Sequence, residues 1–365
     1  MQHVMQQSLF DDAEVDEVAR ASEVGTPETF KENRRLRITS LSGSGKTQSL
    51  LSIAQQALFE IEEGNDNVED VENGEDIGAD DEEEAFSRGP RKQLLKWIGN
   101  KHRFAQEIVS YFPTDYDTYF EPFLGSGAVW ATVAPERALV SDVFIPLIEI
   151  WQTLQTNPGK LKQWYEERWN SMMAGDKVTE YERIKAAYNA HPNGADLLFL
   201  CRSCYGGVVR FRKGDGYMST PCGVHKPIPP AKFAQRVDDW QPLTAGTTIA
   251  CMDYTIAMSM AQEGDLVYCD PPYSFSQSIL YGAQSFNLYE LFETIRWCKI
   301  RGVRVALSID GTKRSGNMIC NIPIPEGLFE REISVNCGRS MLKRFQMNGK
   351  TLEEEVVADR LLLTY

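Results

Sequence analysis

The sequence predicts an α/β fold in which a sheet built with crossover connections is interrupted by a helical insert, and three observations carry that prediction. Residues 118–142 run strand, glycine turn, helix, strand, the opening of such a sheet. Residues 157–240 change character: helical patterns over 160–173 and 180–190 give way to a stretch rich in Gly, Arg and Pro. Apolar strands return at 266–269 and 303–309, and 355–363 supplies a terminal strand with a partner near 331–335. The sheet is therefore split around the insert. The expected organisation is an extension over 1–90, a sheet domain formed by 91–156 and 241–365, and an insert over 157–240.

The chain has 365 residues, 42% of them hydrophobic, enough to bury a substantial core without staples. A formal net charge of -14 argues at first against a nucleic-acid partner, because phosphates must be met by Lys and Arg. The charge is not evenly spread. Residues 1–87 hold 22 acidic and 6 basic residues, and the remainder holds 30 acidic and 32 basic. No basic residue lies between Lys46 and Arg88, and 60–84 carries 14 carboxylates; such a segment repels itself and predicts a disordered linker. Upstream, Ser40-Leu41-Ser42-Gly43-Ser44-Gly45-Lys46-Thr47 resembles a phosphate-binding loop with its first glycine replaced. The acidic run begins within about twenty residues, which leaves no strands for a nucleotide-binding sheet, so a chance match or vestigial fragment is the reading preferred. The eight cysteines are scattered and no export segment is recognisable, which predicts reduced thiols in a cytosolic protein. No stretch approaches the ~18 apolar residues of a membrane helix, so membrane function is set aside. Cys201 and Cys204 form a C-x-x-C without a second pair, and the histidines are only His3, His102, His191 and His225; no metal site is expected.

Three motifs carry chemistry. Lys96-Trp97-Ile98-Gly99-Asn100-Lys101 opens the folded part; alone, Trp97 reads as a core aromatic and Lys101 as a solvated helix residue. Glu121-Pro122-Phe123-Leu124-Gly125-Ser126-Gly127 lies between a strand and a helix, where glycines allow a sharp turn and a close backbone approach to a ligand. Asp142 ends the next strand, the place where α/β folds hold ribose hydroxyls, and without the full dinucleotide fingerprint the pair suits one nucleoside. The third and sharpest motif is an apolar strand running straight into Asp270-Pro271-Pro272-Tyr273. There the Asp270 carboxylate and the Pro271 carbonyl offer two acceptors to an aromatic amine, whose lone pair must be drawn out of conjugation before it can be methylated. The prolines hold those acceptors rigidly, and Tyr273 offers a flat face to an extruded base.

In this order the motifs resemble those of the Dam-type DNA adenine methyltransferases, the alpha group: K-W-x-G-x-K, then [DE]-P-F-x-G-x-G, then a target-recognition insert, then D-P-P-Y. The resemblance spans 92–365. It implies a Rossmann-like class I methyltransferase fold with a mixed seven-stranded sheet and S-adenosylmethionine as cofactor. Trp97, Lys101, Glu121, Phe123, Gly125, Gly127 and Asp142 would then form the cofactor pocket with Asp270, and Asp270, Pro271, Pro272 and Tyr273 the catalytic turn. The substrate implied is adenine flipped from double-stranded DNA by a monomer in a bacterial or phage-host cytosol, alone or beside a restriction enzyme. In the insert, Tyr205 to Phe211 and Gly216 to Gly223 are similar to the family's Y-N-G-x-x-R-[YF] and G-x-F-N-x-P-x-G segments, with Gly206 and Ser219 at the asparagine positions. Tyr205, Arg210, Arg212 and Lys226 are the expected DNA contacts, joined by Arg202, Arg236, Phe211 and Phe233 in a basic and aromatic surface. Residues 340–348 hold the place of a Ser- and Asn-containing backbone-contact loop. The alternatives are a cytosine-N4 or RNA methyltransferase, or a silent DNA-binding relative.

Overall fold

A computed structural model describes residues 92–212, 214–272, 286–310, 314–315, 318–319, 322–336 and 358–365. The acidic extension with its loop-like Ser40–Thr47 segment, Tyr273 and residues 340–348 lie outside the described residues.

Seven strands form the main sheet: β1 Tyr119–Glu121, β2 Ala138–Asp142, β3 Thr247–Cys251, β4 Leu266–Cys269, β5 Arg304–Asp310, β6 Arg331–Asn336 and β7 Ala358–Leu363. Their order is β3-β2-β1-β4-β5-β7-β6. Pairings from β3 to β5 are all parallel, whereas β7 runs antiparallel to both β5 and β6. The expected mixed, seven-stranded Rossmann-like sheet is thus present. Its strand order reverses between β1 and β4, the switch point at which α/β sheets open a crevice beyond their carboxyl ends.

Alternation along the strands explains the two covered faces. Leu266 and Tyr268 of β4 enter one apolar cluster, and Val267 and Cys269 enter the other, as the two-residue period of a strand requires. A parallel sheet buried on both sides reads as a continuous apolar run, which is why β4 was legible at its observed bounds. Helix α1 is Ala105–Ser110, α2 is Ala128–Val133 and α3 is Ile145–Thr156; on one face they carry Ile108, Trp130 and Trp151 into the same cluster as Tyr119 and Val140. The insert follows as α4 Pro158–Ala174, α5 Lys177–Ala190, α6 Gly194–Ser203 and α7 Pro230–Trp240, and its Tyr165, Phe199, Phe233 and Trp240 extend that cluster. On the opposite face α8 Tyr254–Met260 and α9 Leu288–Ile300 contribute Met258, Phe292 and Ile295 to the second cluster.

Candidate active site

A cavity of about 370 Å³ opens over the switch point, and its walls come from most of the motifs that the sequence singles out. The first wall is the bend after β1. Gly125 has φ +48° and Gly127, the residue preceding α2, has φ +65°. Both lie in the left-handed region that only glycine enters readily. A Cβ at Gly127 would sit 3.1 Å from Trp130 and 3.3 Å from Trp151, and one at Gly125 would press on the Trp97 ring at 3.4 Å. Asp142, at the end of β2, ties the bend down: its carboxylate accepts from the Gly125 N–H at 3.2 Å and from the Phe144 N–H at 3.0 Å. The Gly125 carbonyl accepts from the Trp151 indole at 3.1 Å. Burial pushes the Asp142 carboxyl up to about 6, against the lowering effect of those backbone donors.

Glu121 stands on the cavity floor and is only 2% exposed. The Tyr119 hydroxyl donates to it at 2.5 Å. Burial, helped by the charge of Asp270, pushes its carboxyl up to about 8 despite that hydrogen bond. In the apo protein near neutral pH it is therefore mostly protonated, and a cation placed above it would draw the proton off.

The second wall is the turn after β4. The Asp270 carboxylate accepts from Lys101 Nζ at 2.8 Å, and Pro271 and Pro272 continue along the rim. Lys101 is 3% exposed and lines the cavity, so the reading of it alone as a solvated residue does not hold. Its ammonium also lies 3.6 Å from Asp359 on β7. Trp97 is half-buried, lies against Phe144 with ring centroids 6.2 Å apart, and borders the cavity beside Gly125. The cavity thus brings together Trp97, Lys101, Glu121, Phe123, Gly125, Asp142, Asp270, Pro271 and Pro272. Gly127 stands behind it as the residue that precedes α2.

Among the lining residues not singled out in the sequence are Asp253, Tyr254, Phe286 and Glu290. Asp253 caps α8, accepting from the Thr255 N–H at 2.9 Å. Tyr254 stacks on Phe123 at 5.1 Å, and Phe286 meets Phe123 edge-on at 5.9 Å. These rings give the cavity an aromatic side suited to a flat heterocycle. An acid two residues beyond β3 was the one signal that could have revealed Asp253.

The predicted nucleic-acid surface divides. Tyr205, Arg210, Arg212 and Lys226 are exposed, and Arg212 stacks on Tyr217 at 4.1 Å while pairing with Asp215 at 3.4 Å. Phe211 pairs with Met218 across a hairpin turning at 214–216. Arg202, Phe211 and Phe233, read from the sequence as surface, are instead interior, and Arg236 is half-buried. Arg202 donates to the Leu94 and Gln93 carbonyls at 2.8 and 3.3 Å, Arg236 to Gln93 at 2.7 Å, and the Trp240 indole to Lys92 at 2.8 Å. These groups anchor the strand of chain that leads to Trp97 and Lys101. Burial and the neighbouring Arg202 push Arg236 down to about 10. Gly206 has φ +63°; glycine in place of the family's asparagine suits a backbone that both residues tolerate.

Among the described residues no helix is long and apolar enough to cross a membrane. No cluster of three or more His, Cys, Asp or Glu among them could hold a metal ion.

The family model for D12 class N6 adenine-specific DNA methyltransferases matches residues 97–314. A Type II methyltransferase of Lactococcus lactis subsp. cremoris is 28% identical over 198 residues, covering 50% of this chain and 66% of the relative. A DNA N-6-adenine-methyltransferase of Escherichia phage P1 is 28% identical over 185 residues, covering 50% of this chain and 24% of its own length. A retron DNA adenine methylase of Escherichia coli is 26% identical over 260 residues, covering 68% of this chain and 87% of that protein. Against the first two, then, the aligned part of the chain spans less than two thirds of the relative's length.

Proposed function

The chain belongs to the D12 class N6 adenine-specific DNA methyltransferase family, and from that premise we propose that it transfers a methyl group from S-adenosylmethionine to N6 of an adenine flipped out of double-stranded DNA. The observation that carries the reading is that the Gly125 bend and the Asp270-Pro271-Pro272 turn open on the same side of the sheet into one cavity. Had they opened on opposite sides, no methyl donor could have faced an amine held by Asp270.

The residues fit the cofactor. Its nucleoside needs a close backbone approach, which the glycine bend gives without a Cβ in the way. Asp142 would accept from its ribose hydroxyls, the Phe123 and Tyr254 rings would flank a flat base, and buried Glu121 would meet a positive group. When bound, S-adenosylmethionine supplies a methyl group already activated as an electrophile on a sulfonium. The chain's own task is position and polarisation. The Asp270 carboxylate and the Pro271 carbonyl accept the two amine hydrogens and turn the nitrogen lone pair out of the ring, toward the methyl group. Tyr273 would stack on the flipped base. The insert over 157–240 would recognise the target, with Arg210 reading a guanine edge and Tyr205, Arg212 and Lys226 contacting the duplex.

Incubation of the purified protein with methyl-labelled cofactor and either plasmid DNA or RNA, followed by mass spectrometry of the nucleosides, tests this. N6-methyladenine is the expected product. N4-methylcytosine, label only in RNA, or DNA binding without transfer would each overturn it.

A further inference from the structure

We infer that Asp359 is a positioning residue for this transfer, acting through the Lys101 ammonium to keep the Asp270 carboxylate aimed at the target amine; the inference rests on the methyltransferase reading above. Asp359 lies outside every motif that marks the family in this sequence. Its place follows from topology. β7 runs antiparallel to its neighbour, so a residue at its start falls at the carboxyl edge of the parallel strands: Asp359 pairs with Asp310 at the end of β5, beside the strand that leads into Asp270.

Between the two carboxylates stands one ammonium. Lys101 Nζ lies 2.8 Å from Asp270 Oδ1, 3.6 Å from Asp359 Oδ2 and 3.3 Å from the Gly99 carbonyl. The lysine side chain is 4% exposed and that of Asp359 11%. A buried ammonium has to be met by opposite charge. If Asp270 alone met it, the lysine would settle fully on that carboxylate and weaken it as an acceptor for an uncharged N–H. A second carboxylate on another side of Nζ shares the ammonium and fixes where it stands. Asp270 then keeps one orientation and retains acceptor strength for the base.

The test compares Asp359→Asn, which keeps size and removes charge, with Asp359→Glu in the full-length protein. The expected result is a fall in kcat for Asp359→Asn of roughly ten- to a hundredfold, the scale at which a misplaced catalytic group slows a reaction. KM for DNA and the calorimetric affinity for S-adenosylmethionine should stay within about twofold, and Asp359→Glu should recover part of the rate. Because the effect runs through Lys101, Asp359→Asn should add nothing further in a Lys101→Met background. An unchanged kcat beside an active wild type would overturn the inference, as would full additivity with Lys101→Met. A loss carried by cofactor affinity or thermal stability instead of kcat would do the same. If Lys101→Met fails to fold, the Asn and Glu variants still decide. Wild-type protein that transfers no methyl group overturns the methyltransferase reading itself, and this inference with it.

Discussion

Replacing Glu121 by Gln should stabilise the apo protein, and by an amount that grows with pH. An exposed glutamate titrates near 4.5, whereas burial lifts Glu121 to about 8. Below pH 4.5 the carboxyl is protonated in both the folded and unfolded chains and contributes no pH dependence. Between those two values only the unfolded chain is ionised, so folding must take up a proton, and the cost climbs with each pH unit until it levels off above about 8. At about 1.4 kcal/mol per unit, the penalty is on the order of 1 kcal/mol at pH 5 and about 3 kcal/mol at pH 7. Glutamine has nearly the same shape, its carbonyl can still accept from the Tyr119 hydroxyl, and it takes up no proton. Urea unfolding of wild type and Glu121→Gln at pH 5, 7 and 9 measures the difference directly. The gap between the two curves should widen by about 2 kcal/mol from pH 5 to pH 7. Calorimetry should at the same time show weaker binding of S-adenosylmethionine to the variant, because the amide carries no charge to offer a cation. Parallel stability curves across that range would show that Glu121 is ionised in the folded apo protein and refute the reasoning.

Asp142 gives a second pH signature: its carboxyl is pushed up to about 6, so if it holds the ribose as proposed, cofactor affinity should weaken as pH falls through that value and the carboxylate is protonated. Titration calorimetry at pH 5 and 7 checks this, and Asp142→Asn should bind weakly at both. Gly127→Ala forces a side chain into a backbone at φ +65° and against two tryptophan rings; a destabilisation of about 1–3 kcal/mol is expected in urea, and a neutral effect would mean the bend is not held as described. Arg202→Met keeps an unbranched apolar stem but leaves the Leu94 and Gln93 carbonyls without this donor. It should cost about 2–3 kcal/mol of stability, read by the same unfolding assay, without changing the salt dependence of DNA binding that a surface arginine would alter.

The strands that end in the site were legible because each apolar run stops at a residue with a physical reason to stop it: the glycine bend after Glu121, the aspartate at 142, the proline pair after Asp270. β3 was not. Its buried positions alternate with exposed Thr248 and its terminal Cys251 is exposed, so a short edge strand with threonine on both faces carries little apolar signal. Asp253 and Tyr254 were missed with it, since their place depends on where β3 ends. Asp359 was invisible for a different reason: only the antiparallel insertion of β7 beside β5 brings it to the edge where Asp270 lies, and no local pattern encodes that. In the insert, composition misled. Arg202 and Phe233 look like a nucleic-acid surface in the sequence, yet Arg202 lies over the Phe233 ring at 5.9 Å inside the core and gives its Nη1 donors to backbone carbonyls.

What unites the site is a row of carboxylates along one edge of the sheet: Asp253 after β3, Asp142 ending β2, Glu121 ending β1, Asp270 after β4 and Asp359 opening β7. Acids gathered at a partly buried edge repel one another and lose hydration, so the arrangement works against stability unless each charge is met. The structure meets them unequally. Asp253 and Asp142 accept from backbone N–H groups, and Asp270 and Asp359 share Lys101. Glu121, hydrogen-bonded to a tyrosine and beside another acid, is met by proton uptake instead. A sequence selected for folding alone would place Gln or Leu there. A carboxyl kept at such a cost fits the proposed role of meeting a positive charge, and it lies on the floor of the same cavity that Asp270 lines. On the methyltransferase reading proposed above, the electrostatics of the cleft suit a cationic donor, and the pH dependence of Glu121→Gln stability is the measurement that tests the premise.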